Sequence, residues 1–454
     1  MSLRIVRLAN FVTPGSGGLR TALRELGAGY LAAGHEPVLV VPGERRADRR
    51  TPQGRVVTLP GPVLPGSGGY RVLADRGRLR RLLEDLAPDR LEVSDRTTLR
   101  WTGEWARRAR VPAVMVSHET ADGVLRTWGV PTAPARRLAD ALNSRTAHAY
   151  ARVVCTTAWA EREFRRIGAR NVVRAPLGVD LARRRPQLWD ADVRERHARV
   201  AEVLLVLCSR LSVEKRPGVA LDCLEALAER GVRARLVVAG DGPLRGRLER
   251  RARARALPVT FLGHVADRAE LAALQATADV CLAPGPAETF GLAALEALAC
   301  GTPVVVSAVS ALPEIVGVEG VVGAEGAEGA EGAEGVEGAE ALGEADGSGV
   351  WAGAAGAAVL GAAGASALGG AGFAEAVQGL LDRPEAERRR AARARAEGFG
   401  WDRSVAAFLA AHDAPGDVGV RGGAGRSTEA RADVPVGAGG AIGAVGAVGA
   451  RGAL

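Results

Sequence analysis

Two rhythms of apolar residues alternate along this chain. Short continuous runs bounded by Gly, Pro or charged residues read as strands buried on both faces. Longer stretches with apolar residues every three or four positions read as amphipathic helices. Arg4–Ala9 predicts a first strand, the loop containing Gly15-Ser-Gly17-Gly18 follows, and Leu19–Ala33 predicts a helix. Gly34-His35 then turns the chain into a strand at Pro37–Val41. Further strands are expected at Arg55–Leu59, Arg90–Val93, Ala113–Ser117 and Val153–Cys155. Pro176–Arg185 interrupts the pattern, which then repeats with strands at Val203–Cys208, Arg235–Ala239, Val259–Phe261, Val280–Ala283 and Val304–Ser307. Strand–helix alternation with short Gly turns predicts an α/β protein. The expected architecture is two Rossmann-like, doubly wound parallel-sheet domains facing across a cleft, residues 1–185 and 186–398.

Two segments fit neither rhythm. Residues 318–350 repeat Gly-Ala-Glu without proline, which excludes collagen and cannot bury a core, so a flexible acidic insert is expected. Residues 413–454, rich in Gly, Ala and Val, read as a disordered tail. Within the Gly/Ala run after the insert, Ala355–Val359 is taken as a strand, followed by helices at Phe373–Leu381, Pro384–Glu397 and Asp402–His412.

Composition narrows the class. At 454 residues and 47% hydrophobic content the chain has ample core for more than one domain. Its five cysteines have no metal-ligand spacing and apolar neighbours, which reads as reduced thiols in the cytoplasm. The start, MSLRIVRLANFV, is too short an apolar run for a signal peptide, and no membrane-spanning run is apparent. Charge is uneven: residues 1–185 hold 33 Arg against 17 Asp and Glu, a net +16, while the whole chain is +8. A basic first half points to an anionic partner, an acidic lipid or a phosphorylated acceptor, and a location at the inner face of the membrane. Nucleic acid is not expected, because no basic stripe interleaves aromatics.

The stretch Ala283–Glu314, APGPAETFGLAALEALACGTPVVVSAVSALPE, carries the densest chemistry. Glu288 precedes a predicted helix, Glu296 lies about two turns into it, and Gly301-Thr302-Pro303 stops it. A helix start offers free N–H groups and a positive dipole end to phosphate, and carboxylates accept bonds from sugar hydroxyls. Lys215 is the chain's one lysine among 60 basic residues. A compact ammonium where arginine is otherwise preferred fits a diphosphate contact. No Ser-His-Asp set, metal cluster or phosphate-binding P-loop is visible.

Arg210 with Lys215, Gly240-Asp241-Gly242-Pro243, Phe261-Leu262-Gly263-His264-Val265, Glu288-x-Phe290-Gly291 with Glu296, and Gly301-x-Pro303 occur in that order. The set resembles the donor domain of the retaining GT-B glycosyltransferases, the large family that includes bacterial lipid mannosyltransferases and sucrose-type synthases. Pro176-Leu-Gly-Val-Asp180 resembles that family's domain junction, and Phe399-Gly-Trp401 the start of its last helix, 399–412, which crosses back to the first domain. The chain departs from the pattern before Leu312-Pro313-Glu314, where Ser310-Ala311 stand at a place that often holds an extra Gly.

The resemblance implies roles. Arg210 and Lys215 neutralise the donor diphosphate, Glu288 bonds the transferred sugar, and Glu296 bonds the ribose. Phe290, Gly291 and Leu292 supply backbone N–H groups, Gly17 and Gly18 form a loop over the reaction centre, and His118 stands by the sugar. His264 and Val265 lie beside the base, the 240–243 turn is near the donor, and His35 reads as structural. The implied reaction moves a hexose from a nucleotide-diphosphate sugar to a lipid or small-molecule hydroxyl with retention, on one face, without a metal or other cofactor. GDP-mannose is the first choice of donor and a UDP-sugar the second. A nucleotide-sugar-binding regulator and an epimerase are the alternatives that lack transfer.

Overall fold

The computed structural model describes residues 1–12, 17–64, 69–127, 129–199, 201–318 and 358–413. Most of the Gly/Ala/Glu insert and nearly all of the tail lie outside the described residues. The first sheet holds β1 (Arg4–Leu8), β2 (Glu36–Gly43), β3 (Ala47–Thr51), β4 (Gly54–Pro60), β5 (Arg90–Val93), β6 (Ala113–Ser117), β7 (Arg152–Cys155) and β8 (Val172–Arg174). Their spatial order is β3-β4-β2-β1-β5-β6-β7-β8. The second sheet holds β9 (Val203–Cys208), β10 (Ala234–Ala239), β11 (Val259–Gly263), β12 (Val280–Ala283), β13 (Val304–Ser307), β14 (Val359–Leu360) and β15 (Gly364–Ala367), ordered β11-β10-β9-β12-β13-β15-β14. Pairings are parallel except β3–β4 and β14–β15. In each sheet the strand order reverses beside a central first strand, which opens a crevice at the carboxyl ends.

Sequence dictates the strands through burial. In β9, Leu204 to Leu207 are fully buried, as a central parallel strand covered on both faces requires. Helices of the first lobe are α1 (Gly18–Ala32), α2 (Arg76–Leu86), α3 (Trp101–Arg108), α4 (Ala121–Thr127), α5 (Thr132–Ala149) and α6 (Ala158–Arg166). Those of the second are α7 (Ala191–His197), α8 (Gly218–Glu229), α9 (Arg245–Ala254), α10 (Arg268–Thr277), α11 (Leu292–Ala299), α12 (Leu312–Val316), α13 (Gly369–Leu381) and α14 (Glu385–Glu397). Side-chain caps begin several of them: Asp75 accepts from Arg78 N at 2.8 Å, Thr157 from Ala160 N at 3.2 Å and Asp190 from Val193 N at 3.0 Å.

Four elements differ from the sequence reading. Ala47–Thr51 is a strand, although its sequence, ADRRT, is polar; it pairs antiparallel with β4 at the sheet edge. Val172–Arg174 adds an unexpected eighth strand. Beyond the insert, residues 355–357 of the expected strand are not described, and the strand that joins β13 in parallel is Gly364–Ala367. Helix α13 begins at Gly369, four residues before the expected Phe373.

The last helix, α15 (Trp401–Asp413), packs on α1 of the first lobe. A Cβ added to Gly29 would lie 2.2 Å from Val405 Cγ2, so only glycine permits this approach. Ser404 donates to the Pro176 carbonyl at 2.7 Å, and Val179 N donates to Phe399 O at 2.8 Å, tying the helix to the junction. One hydrophobic cluster runs through Ile5, Tyr30 and Val154 of the first lobe, Val405 and Phe408 of the last helix, and Leu295 and Val304 of the second lobe. Among the described residues no helix is long and apolar enough to cross a membrane.

Candidate functional site

The second sheet places its chemistry at the carboxyl ends of β9 and β12. After β9 the chain enters a short 3-10 turn, Val213–Lys215. That turn aims Lys215 Nζ at Glu288 Oε1, 2.5 Å away, with both side chains about a quarter exposed. Burial lowers the ammonium pKa, but the charge and hydrogen bond of Glu288, with the charges of Glu214 and Glu119, make the net shift upward. Glu288 lies in the loop before α11, whose entry residue Gly291 has φ +74°. A Cβ there would fall 2.0 Å from Leu312 Cδ2, so the turn that exposes the helix start needs glycine on both counts. Ser209, Gly285, Glu288 and Gly291 help line a cavity of about 20 Å³ at this helix start, room for about one water.

Glu296 projects from α11 toward a buried cation. Arg184 Nη2 lies 3.4 Å from Glu296 Oε2, and Arg184 Nη1 donates to Gln275 Oε1 at 2.7 Å. Burial raises the Glu296 pKa; Arg184, Arg268 and Arg24 oppose the rise without cancelling it.

The first sheet contributes His118 after β6. Its Nε2 is 3.1 Å from the Ser94 hydroxyl, at the end of β5. Burial, opposed by Glu92 and assisted by Arg7 and Arg96, lowers its pKa to about 4, so the imidazole is neutral at physiological pH. Arg96, also buried, bonds Asn143 Oδ1 at 2.7 Å, Ser117 Oγ and the Glu119 carbonyl, which fixes the loop that carries His118. Glu163 completes this network by accepting the Ala121 and Asp122 amides, each at 2.9 Å, at the start of α4.

The two rims touch. Thr289 Oγ1 donates to the His118 carbonyl, and Thr157 Oγ1 donates to the Thr289 carbonyl at 2.9 Å. The Glu314 carboxylate accepts the Ala158 amide at 2.8 Å, so a second-lobe side chain caps α6 of the first lobe. Glu288, Thr289 and His118 are therefore neighbours along one contact line.

The remaining expected residues fall as follows. Arg210 is exposed and donates to the Tyr70 hydroxyl of the first lobe at 3.2 Å. Gly17 and Gly18 start α1, and a Cβ on Gly18 would meet Leu292 at 3.8 Å, so this loop faces the start of α11. The Phe290 ring is buried against Phe399, centroids 6.1 Å apart, which leaves its backbone as the part available to a ligand. His264 is exposed just after β11, and Val265 packs against the hydrophobic cluster that contains Leu274 and Ala239. Gly240 bridges Gly263 nearby. His35 accepts from Leu3 N at 3.3 Å, a structural contact.

Known proteins resemble this chain in sequence and in fold. The profile described as Glycosyl transferase 4-like domain matches residues 17–178, and that described as Glycosyl transferases group 1 matches residues 202–337. Over 409 residues, 90% of this chain and 95% of the relative, the sequence is 47% identical to a GDP-mannose-dependent alpha-(1-6)-phosphatidylinositol dimannoside mannosyltransferase of Mycobacterium tuberculosis. The chain belongs to the GT-B glycosyltransferases. Among solved structures, this glycosyltransferase resembles sucrose-phosphate synthase from Thermosynechococcus elongatus, with TM-score 0.65 and 19% identity over 90% of this chain and 97% of that one. It also resembles Anabaena HepE in complex with UDP-glucose, with TM-score 0.62 and 17% identity over 90% and 99% of the two chains.

Sequence reasoning missed the partners that this glycosyltransferase sets around its rim. Arg184 is the middle of an arginine triplet, Arg183 to Arg185, that looks like a solvated run, yet Arg184 is 6% exposed. Ser94, Tyr70 and Thr289 carry no motif. One signal was available: a lone Glu296 in the apolar run LAALEALA requires a counter-charge.

Proposed function

We propose that this glycosyltransferase moves mannose from GDP-mannose to a hydroxyl of a phosphatidylinositol-type glycolipid. The observation that carries this reading is the 47% identity, over nearly the whole of both chains, to a relative named for that donor and that class of acceptor. The Lys215–Glu288 juxtaposition supports it, because a cation able to meet a diphosphate stands 2.5 Å from a carboxylate able to accept sugar hydroxyls.

The chemistry then assigns roles. The acceptor oxygen bonds to the anomeric carbon as the bond from that carbon to the β-phosphate oxygen breaks. The departing phosphate takes the acceptor's proton on the same face, so configuration is retained and the products are the mannoside and GDP. Lys215, and Arg210 once it turns inward, offset the charge that grows on the diphosphate, together with the amides of Phe290, Gly291 and Leu292. Glu288 accepts bonds from mannose hydroxyls and Glu296 from the ribose. His118, held neutral, stands by the sugar as a hydrogen-bonding group, and the Gly17–Gly18 loop covers it. Val265 and His264 border the base. Such catalysis consists of positioning and charge stabilisation, with no covalent enzyme intermediate and no metal. The arginine-rich first lobe supplies a peripheral contact with anionic lipid at the inner membrane face.

The test is incubation with GDP-mannose and mannosylated phosphatidylinositol, followed by mass spectrometry of the lipid. Gain of one hexose is expected, and UDP-glucose should give none. Conversion of the donor sugar without any lipid product would overturn the reading in favour of an epimerase.

A further inference from the structure

We infer that Arg184 is a positioning residue for nucleotide recognition: it fixes the Glu296 carboxylate, charged and oriented, for the ribose hydroxyls. The inference rests on the reading of Glu296 as the ribose-binding group.

Arg184 lies in the junction between the lobes and is 6% exposed. A guanidinium stays charged at every accessible pH, so its burial demands a counter-charge. Among the described residues, Glu296 is its only ion-pair partner. The guanidinium is pinned from the other side by Gln275, itself fully buried, whose Nε2 donates to the Ala293 carbonyl at 3.2 Å. Its backbone is fixed as well: Arg393 Nη1 donates to the Arg184 carbonyl at 2.7 Å. The fork therefore cannot follow Glu296; Glu296 must orient to the fork.

The distance sets what Arg184 can do. At 3.4 Å, Nη2 to Oε2 is close enough for strong attraction but beyond the usual 2.7–3.2 Å of an N–H···O bond. The carboxylate is thus held by charge, while its lone pairs stay available to hydroxyl donors. Burial alone favours a protonated Glu296, which would accept fewer bonds; the arginine opposes that.

Calorimetry with GDP and with 2′,3′-dideoxy-GDP tests this. The wild type should bind GDP about tenfold or more tightly than the dideoxy analogue, the effect of losing hydrogen bonds to a charged acceptor. Arg184→Met and Glu296→Gln should each reduce that preference to about twofold or less, with affinity for the dideoxy analogue unchanged, and the double variant should lose nothing more. Arg184→Lys should restore part of the preference, since it keeps the charge without the fork. Arg184→Gln, which can still bond Gln275, gives the same reading should the Met variant not fold. A folded Met or Gln variant with the wild-type preference overturns the role of Arg184. No preference in the wild type overturns the ribose reading of Glu296, and the inference with it.

Discussion

The two lobes share a doubly wound topology but hold it together by different means. Beneath the first sheet, Arg7 and Glu92 are each 1% exposed and 2.7 Å apart. Tyr30 donates to Glu92 at 2.7 Å, and His412 of the last helix stands 3.4 Å from it. Arg96 with Glu163 forms a second buried pair at 3.2 Å. Beneath the second sheet the core is Leu, Val and Ala, and no aspartate or glutamate is buried among its described residues. At its rim Lys215 and Glu288 are each about a quarter exposed, and the buried Arg184 faces a Glu296 that is itself partly exposed. Buried charges are costly to separate, whereas half-exposed ones are cheap to lose structurally and available for binding. The first lobe thus buries carboxylates with their cations, and the second keeps its carboxylates within reach of solvent.

The sharpest way to break this comparison is Arg7→Met. It strands Glu92 without its cation and should cost about 3–5 kcal/mol of unfolding free energy in denaturant titration. A loss below about 1 kcal/mol would show that the first lobe does not depend on its buried ions. Next in size is Lys215→Ala, expected to lower turnover about a hundredfold while leaving stability within about 1 kcal/mol. A large stability loss with little change in turnover would invert the contrast.

The third test is pH. His118 has a folded pKa of about 4, below its ordinary 6.5, so the unfolded chain takes up a proton first as pH falls. Its contribution is complete above about pH 6.5 and disappears toward pH 4. Between pH 7.5 and 5.5 the loss should be about 1 kcal/mol, and His118→Gln should flatten that slope. The smallest effect belongs to Glu314→Ala. Removal of the inter-lobe cap should cost about 1 kcal/mol or less by thermal melting, and no change at all would mean the contact contributes nothing to closure.

Legibility in the sequence followed burial. Central parallel strands such as Val203–Cys208, Val280–Ala283 and Val304–Ser307 were read to the residue, because a strand covered on both faces must be continuously apolar. Strands away from the sheet centres escaped. Ala47–Thr51 is polar because solvent covers it, and Gly364–Ala367, GASA, is too small-chained to register as apolar despite full burial of Ala365. At the site, the order of Lys215, Glu288 and Glu296 was visible, and the structure sets Lys215 against Glu288 and Glu296 against Arg184. Arg184, Thr289 and Glu314 were not, because their importance arises from what the folded lobes bring against them, and no local spacing encodes that.

The cap on α6 also makes the protein its own reporter. The Ala158 and Trp159 amides are covered only while Glu314 reaches across from the other lobe. Any parting of the lobes releases them to water, where their protons swap for deuterium. The labelling rate at these two positions, set against that of the sheet interior, therefore clocks how often the cleft opens, and how far a bound nucleotide slows it.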